Sequence, residues 1–229
     1  MKYTVIHVND RAKDNIEKIQ NSLSEYEYIN DIEFFDGNKG NAWDVLNHMG
    51  IPLNVWKPYD GRNFDPLPGE YGVWLSTIRC FEYMIKNNIE NLLIFEDDVV
   101  LLDSFLDVFK SCIADLPPKF DFLSLYYFKE HNWIDRNTKI NSNFIHRSLN
   151  QYAGAQAILY SLKGAGKILR AVKRKGVEYT CDCFIFKQSH IGILEGYSIR
   201  PDIEPVIFHD DKKIESLIDP KNIRNTKEE

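Results

Sequence analysis

The sequence holds no apolar run of about 18 residues, which excludes a membrane-crossing helix of ordinary length. Its opening stretch, Met1 to Val8, is too short, and too soon followed by polar residues, for a signal peptide; it reads as a first strand. With neither a span nor an export signal, the chain is expected in the cytoplasm. Cysteine is scarce: there are four, and only Cys181 and Cys183 stand close together. A zinc site needs two further ligands at plausible spacing, and no second pair is present. Four free thiols in a reducing compartment are expected. Positive charge is not in surplus either. With 28 Lys and Arg against 34 Asp and Glu the net charge is −6, which argues against nucleic acid as a partner. A Gly-x-x-x-x-Gly-Lys phosphate loop is missing, as is an Asp-x-Asp nucleophile motif, so a nucleotidyltransferase or phosphatase ranks last among the chemistries considered. There is no internal repeat and no low-complexity segment.

What is present suits one globular domain. A length of 229 residues with 44% apolar and 13% aromatic content supports a sizeable core. We read a single domain over residues 1–218 and a charged tail at 219–229 that frays.

The chain is organised around Asn91-Leu92-Leu93-Ile94-Phe95-Glu96-Asp97-Asp98. Four unbroken apolar residues predict a strand buried on both faces. Three carboxylates then fall at its carboxyl end, the edge where open α/β sheets bind ligands. Adjacent carboxylates repel one another, and a hard divalent cation relieves that repulsion. In an extended chain Glu96 and Asp98 point one way and Asp97 the other, so Glu96 and Asp98 are candidates to share one metal site. A solvated turn is the plain alternative. It is disfavoured because the apolar run Val99 to Leu102 resumes after the acids.

Around this stretch the pattern alternates. Tyr3–Val8 is a strand, and Ala12, Ile16, Ile19 and Leu23 mark the helix after it, with Asp10 as its cap. Ile32–Phe35 reads as a second strand, and Ala42–Met49 as a short helix. Residues 51–69 form a long loop with four prolines, of the kind used as binding segments or lids. Gly69-Glu70 opens a helix carrying Trp74, Ile78, Phe81 and Ile85. Leu102, Leu106, Phe109 and Ile113 mark another, capped at Asp103 or Ser104, and Phe120–Tyr127 is the next strand. This order predicts an α/β fold with a mostly parallel central sheet and helices on both faces. Residues 128–150 show no firm period. Tyr152–Tyr160 is a further strand candidate. Ser161 caps a helix that ends at Gly176 and carries Lys167, Arg170, Lys173, Arg174 and Lys175 on its outer face, either as a solvated face or as a contact for an anionic partner.

Two motifs now gain weight together. Gly69-Glu70-Tyr71-Gly72-Val73-Trp74-Leu75-Ser76, followed by Leu93-Ile94-Phe95-Glu96-Asp97-Asp98-Val99, resembles glycosyltransferase family 25, the lipooligosaccharide and collagen galactosyltransferase type. Val8-Asn9-Asp10-Arg11 is similar to that family's first strand and loop, and Phe122 to Leu125 to the strand after its acids. Gly154 to Leu169 is similar to a later strand and helix, Thr180 to Phe184 to an Asp-containing segment, and Pro205 to His209 to a late strand. Thr77 departs from the family's usual His after Leu-Ser, and His209 stands where many relatives carry Gln.

The resemblance implies a GT-A type nucleotide-sugar-binding fold and an inverting hexosyltransferase. It implies a nucleotide-sugar donor, a UDP-sugar, with Mn²⁺ or Mg²⁺. The hexose, galactose or glucose, goes to a hydroxyl of a glycan or glycosylated acceptor. Asp98, Glu96 and His209 become the expected metal ligands. Asn9, Asp10, Arg11, Glu96 and Asp97 are expected on the nucleotide donor, and Asp182 and Glu70 at the chemistry, with Asp182 the candidate for the base or for an acid that supports it. The departure at Thr77 motivates the alternative, an inactive relative that binds carbohydrate or serves as a scaffold.

Overall fold

A computed structural model describes residues 1–7, 13–35, 41–52, 68–126, 142–148, 154–200 and 203, and the backbone of 207–209. Nine strands and six helices occur among them. In chain order they are β1 (Lys2–Ile6), α1 (Lys13–Ser22), β2 (Glu27–Tyr28), α2 (Ala42–His48), α3 (Pro68–Lys86), β3 (Asn91–Glu96), β4 (Val99–Leu101) and α4 (Phe105–Asp115). They continue as β5 (Phe122–Ser124), β6 (Ile145–Arg147), β7 (Ala157–Ser161), α5 (Leu162–Lys175), α6 (Cys181–His190), β8 (Gly196–Ile199) and β9 (Ile207–His209).

Seven strands form one sheet in the order β2-β1-β3-β7-β5-β8-β6, and β4 pairs with β9 apart from it. β1 runs parallel to β2 and β3, and β5 parallel to β8. β7 lies antiparallel between β3 and β5, and β6 antiparallel on β8. Five of the seven strands therefore share one direction, as an α/β chain with a mostly parallel sheet requires. The two reversed strands are a refinement that apolar runs cannot announce, because a run of buried residues looks the same in either direction.

The strand residues divide cleanly between two faces. Leu92 and Ile94 of β3 join Ile158 and Tyr160 of β7 in a core completed by α2, α3, α5 and α6. Leu93 and Phe95 join Ala157 and Leu159 in a second core under α1 and α4. Glu96 continues the Leu92–Ile94 alternation, so its side chain belongs to the α3–α6 face.

The helix ends follow from local chemistry. Ser161 Oγ accepts from Gly164 N at 3.0 Å, and Gly176 closes α5 with φ of 78°. α3 packs a long buried stripe through Trp74, Ile78 and Phe81, but its buried face then passes to Met84 and leaves Ile85 half-exposed.

One expected strand is absent. Residues Ile32 to Phe35 pair with no strand among the described residues, and the second strand is the two-residue β2 beside β1. The backbone of this segment is satisfied by α3 side chains instead: Phe35 N donates to Ser76 Oγ at 3.1 Å, and Glu33 O accepts from Arg79 Nη1 at 2.6 Å. The run Val99 to Leu101, which the sequence showed only as apolar, is a strand. The expected cap Asp10, and most of the loops at 51–69 and 128–150, lie outside the described residues.

Candidate functional site

A cavity of about 200 Å³ opens where three elements end together. β3 delivers Glu96 as its last residue. α3 brings Glu70, and α6 brings Asp182, each from its first turn. Acids in a first helical turn are favoured by the helix dipole, which helps explain why each sits where it does. Val73, Gly154, Ala155, Gln156, Thr180 and Cys181 complete the lining. Three carboxylates from remote parts of the sequence thus share one concavity, with no Lys, Arg or His among its described lining.

The walls are built to hold that arrangement. Glu96 N donates to Gln156 O at 2.9 Å, which continues the β3–β7 ladder by one step and lays Gln156 beside the acid. Gln156 Oε1 is buried and meets no hydrogen-bond donor among the described residues. A Cβ in place of Gly154 would fall 1.8 Å from that oxygen, so any larger residue there would move the Gln156 side chain. On the opposite wall α3 fastens the entry to α6. Trp74 Nε1 donates to Tyr179 O at 2.8 Å, and the Trp74 ring meets Phe184 edge-on at 5.3 Å. Thr77, the residue that stands in place of the family's usual His, is buried and hydrogen-bonded to Cys181.

Burial governs the electrostatics. It raises the pKa of the Asp182 carboxyl, against hydrogen bonds from the Thr180 hydroxyl and the Cys183 backbone N–H that favour the ionised form. It also pushes the Cys181 thiol well up, against the Thr77 hydroxyl bond and with the charges of Asp182 and Glu96 adding to the rise. Cys183 is pushed up to about 12 by burial and by the neighbouring Asp182. The thiols here are protonated, inert walls, and Asp182 is the group whose proton affinity is tuned.

The sequence-expected residues fall into three groups. Glu70, Glu96 and Asp182 line the cavity together. Asp97 and Asp98 form the turn after β3, both half-buried, and neither is part of the described lining. Asn15 Nδ2 holds that turn by donating to Asp97 O at 2.9 Å and also to Val99 O. The turn ends the strand alternation that would have aimed Asp98 alongside Glu96. Asn9, Asp10 and Arg11 lie outside the described residues, and His209 is described in backbone only. In the β4–β9 register His209 is the partner of Val99, one residue from Asp98.

Residues with donors for a divalent cation follow one another around the end of β3: the Glu96 carboxylate with the Gln156 amide oxygen in the cavity, Asp98 in the turn two residues on, and the backbone of His209 paired with Val99 in the separate β4–β9 ladder. Oxygen and imidazole donors of this kind fit Mn²⁺ or Mg²⁺. Among the described residues no three His, Cys, Asp or Glu side chains close on a single ion, so phosphate and water oxygens would fill the remainder of the shell. Gln156 was missed as a site residue, while Thr77 stood out only as a departure from the family's pattern and Thr180 and Cys181 only as neighbours of Asp182.

Residues 5–203 match the model of Glycosyltransferase family 25 (LPS biosynthesis protein). Among curated proteins, the chain is similar to the "Procollagen lysyl hydroxylase and glycosyltransferase" of Acanthamoeba polyphaga mimivirus, with 26% identity over 132 residues. That match takes in 56% of this chain and 14% of the relative, so the chain spans only a small part of the viral protein's length. Among solved structures, A197 from STIV aligns over 87% of this chain and 81% of its own, with a TM-score of 0.42 and 12% identity. An active-site mutant of LgtC aligns over 82% and 69%, with a TM-score of 0.41 and 14% identity.

Proposed function

We propose that this chain, which belongs to glycosyltransferase family 25, is an inverting hexosyltransferase whose reaction takes place in the cavity between Glu96, Glu70 and Asp182. The observation that carries the reading is their convergence: three acids from three separate elements around a space of about 200 Å³, one of them with proton affinity raised by burial. The donor is a nucleotide sugar, taken to be a UDP-hexose on a GT-A type frame. The acceptor is a hydroxyl. The family's description names lipopolysaccharide biosynthesis and the viral relative's name includes procollagen, so glycan and protein hydroxyls are both retained as acceptors.

Asp182 is assigned as the base. A carboxylate with raised pKa is a better proton acceptor, and it can take the acceptor proton as that oxygen attacks the anomeric carbon. The carbon–oxygen bond to the diphosphate breaks on the opposite side, and the electron pair leaves with the diphosphate, which inverts the anomeric centre. Glu70 and the Gln156 amide oxygen accept hydrogen bonds from sugar hydroxyls. Glu96 and Asp98, with His209, would hold Mn²⁺ or Mg²⁺, which when bound supplies neutralising charge for the departing diphosphate. Asn9, Asp10 and Arg11 are assigned to the nucleotide. Thr77 and Trp74 act on the reaction only by fixing the start of α6.

The test is nucleoside diphosphate release from UDP-, GDP- and CDP-hexoses, with and without Mn²⁺, on wild type, Asp182→Asn and Asp98→Ala. Thermal shifts on the same samples report binding. One donor should give Mn²⁺-dependent turnover. Asp182→Asn should bind that donor with turnover lowered about 10²–10⁴-fold. Binding with no turnover in wild type against glycan and peptide acceptors would instead favour an inactive, carbohydrate-binding relative. No binding of any nucleotide sugar by folded protein would refute the transferase reading and leave the inactive relative.

A further inference from the structure

The outer face of α5 and the turn after α6 form a single patch that the cavity does not use. Along α5, Lys163, Lys167, Arg170 and Arg174 recur at spacings of four, three and four, which stacks them in one stripe. Lys163, Arg170 and Arg174 are exposed, and Lys173 is exposed beside them. α5 carries no acidic residue, in a chain whose net charge is −6. Glu90 stands near the start of the helix, its carbonyl accepting from Leu162 N at 2.7 Å.

Against this stripe lies Ile191-Gly192-Ile193. Lys167 Nζ reaches Ile193 O at 3.4 Å, so the turn and the stripe are neighbours, and Lys175 Nζ ties the end of α5 to Gln188 of α6 at 2.9 Å. Ile191 is 49% exposed and Ile193 36%, two of the six large apolar side chains that stand out of the described surface. The turn is rigid. Ile191 N, Gly192 N and Ile193 N donate to Lys187 O, Ser189 O and Gln188 O at 3.1, 3.0 and 2.9 Å, and Gly192 supplies the φ of 77° that the turn needs. Two isoleucines are thus held outward at no further ordering cost, beside a row of cations.

We propose that this patch docks the protein on an anionic membrane surface, with the basic stripe over lipid headgroups and the two isoleucines entering the interface. Charge complementarity and the apolar turn argue for a bilayer together. Cations near an anionic leaflet are drawn to it, and apolar side chains beside them gain by leaving water. Nucleic acid would match the stripe but offers the isoleucines nothing, and the patch presents no aromatic ring for a base to stack on. An acidic protein would need an apolar pocket as well. The turn and the start of the stripe sit away from the cavity. β7 leaves the cavity edge, α5 and α6 then run back and forth, and the turn closes α6 at the far edge of the sheet. The inference is independent of the reaction assigned to that cavity.

The experiment is vesicle sedimentation of the full chain, using phosphatidylcholine vesicles with and without phosphatidylglycerol, at low and high salt. Wild type should pellet with the anionic vesicles alone and be released by salt. The combined Lys163→Glu, Arg170→Glu and Arg174→Glu variant should bind at least 100-fold more weakly, since each cation near such a surface contributes about fivefold. Ile191→Ser with Ile193→Ser should weaken binding by at least tenfold while keeping its salt dependence. Lys167 is left intact because it supports the interior, and the corresponding Gln variants repeat the test if charge reversal perturbs folding as judged by circular dichroism. Failure to bind anionic vesicles, binding unchanged in the variants, or preference for polyglutamate or RNA over vesicles would each overturn the proposal.

Discussion

Gly164→Ala and Gly166→Ala sit two residues apart in the same helix and should move stability in opposite directions. Helix propensity alone favours alanine at both by about 0.8–1 kcal/mol. At Gly164, however, the new Cβ would lie 2.1 Å from the Asp121 carbonyl oxygen and 2.7 Å from its carbon. A carbon–oxygen contact needs about 3.3 Å, so the first turn of α5 would have to withdraw by about 1 Å. Asp121 cannot give way. Its N donates to Glu195 O at 2.8 Å, and its carbonyl accepts from Ser161 N at 3.1 Å. Its buried carboxylate accepts from Lys167 and from Glu195 N, the latter at 2.7 Å. Overpacking of this kind costs about 1–3 kcal/mol, and contact with fixed backbone points to the upper part of that range. Net of propensity, Gly164→Ala should lose about 1–2 kcal/mol. At Gly166 the added Cβ would first meet Arg170 Nη1 at 3.4 Å, the end of a flexible side chain, so Gly166→Ala should gain about 0.5–1 kcal/mol. Urea unfolding measures both, and each kcal/mol should also move the thermal midpoint by about 2–4 °C. A Gly164→Ala protein as stable as wild type, or more so, would refute the close seating of α5 on β5.

Lys167→Met should cost about 3 kcal/mol in urea unfolding, because it strips from the fully buried Asp121 the one cation that meets it among the described residues. Asp182→Asn should slow transfer about 10²–10⁴-fold yet raise the thermal midpoint at neutral pH. The raised carboxyl pKa means that the folded state holds the proton more tightly than the unfolded chain does, so wild-type stability falls as pH rises from the ordinary carboxylate range through the folded value, and Asn removes that loss. Native protein should resist iodoacetamide near neutral pH, since burial raises the thiols of Cys80, Cys112, Cys181 and Cys183, the last to about 12; urea should make all four react, and a fast-alkylating native cysteine would contradict the described packing.

The sequence carried the acidic strand end plainly, because a doubly buried strand leaves an unbroken apolar run and its edge collects ligand-type residues. The α5 boundaries were equally plain, since Ser161 and Gly176 act locally. Ile32 to Phe35 misled for a physical reason. Its aromatic pattern is that of a strand, but its backbone is satisfied by Ser76 and Arg79, more than forty positions away. Strand direction was not legible at β7, and a two-residue strand such as β2 has no signature at all. For the candidate site, Glu70 and Asp182 could be singled out one at a time, but that they face Glu96 across one cavity depends on how α3 and α6 pack. Gln156 gave no signal, since its importance comes from lying beside Glu96 in the ladder and beneath Gly154.

The placement of β7 also sets when the cavity can exist. As the chain emerges from the ribosome, β3 appears with one edge against β1 and the other open until Ala157 to Ser161 arrive. The far wall, at Asp182, comes later still. A nascent or truncated chain ending near residue 126 would carry Glu70 and Glu96 with no closing wall, and an apolar strand edge free to pair with other chains. Synthesis to the end of α6 is thus a condition for both activity and solubility, and premature termination before β7 should yield aggregates rather than a partly working enzyme.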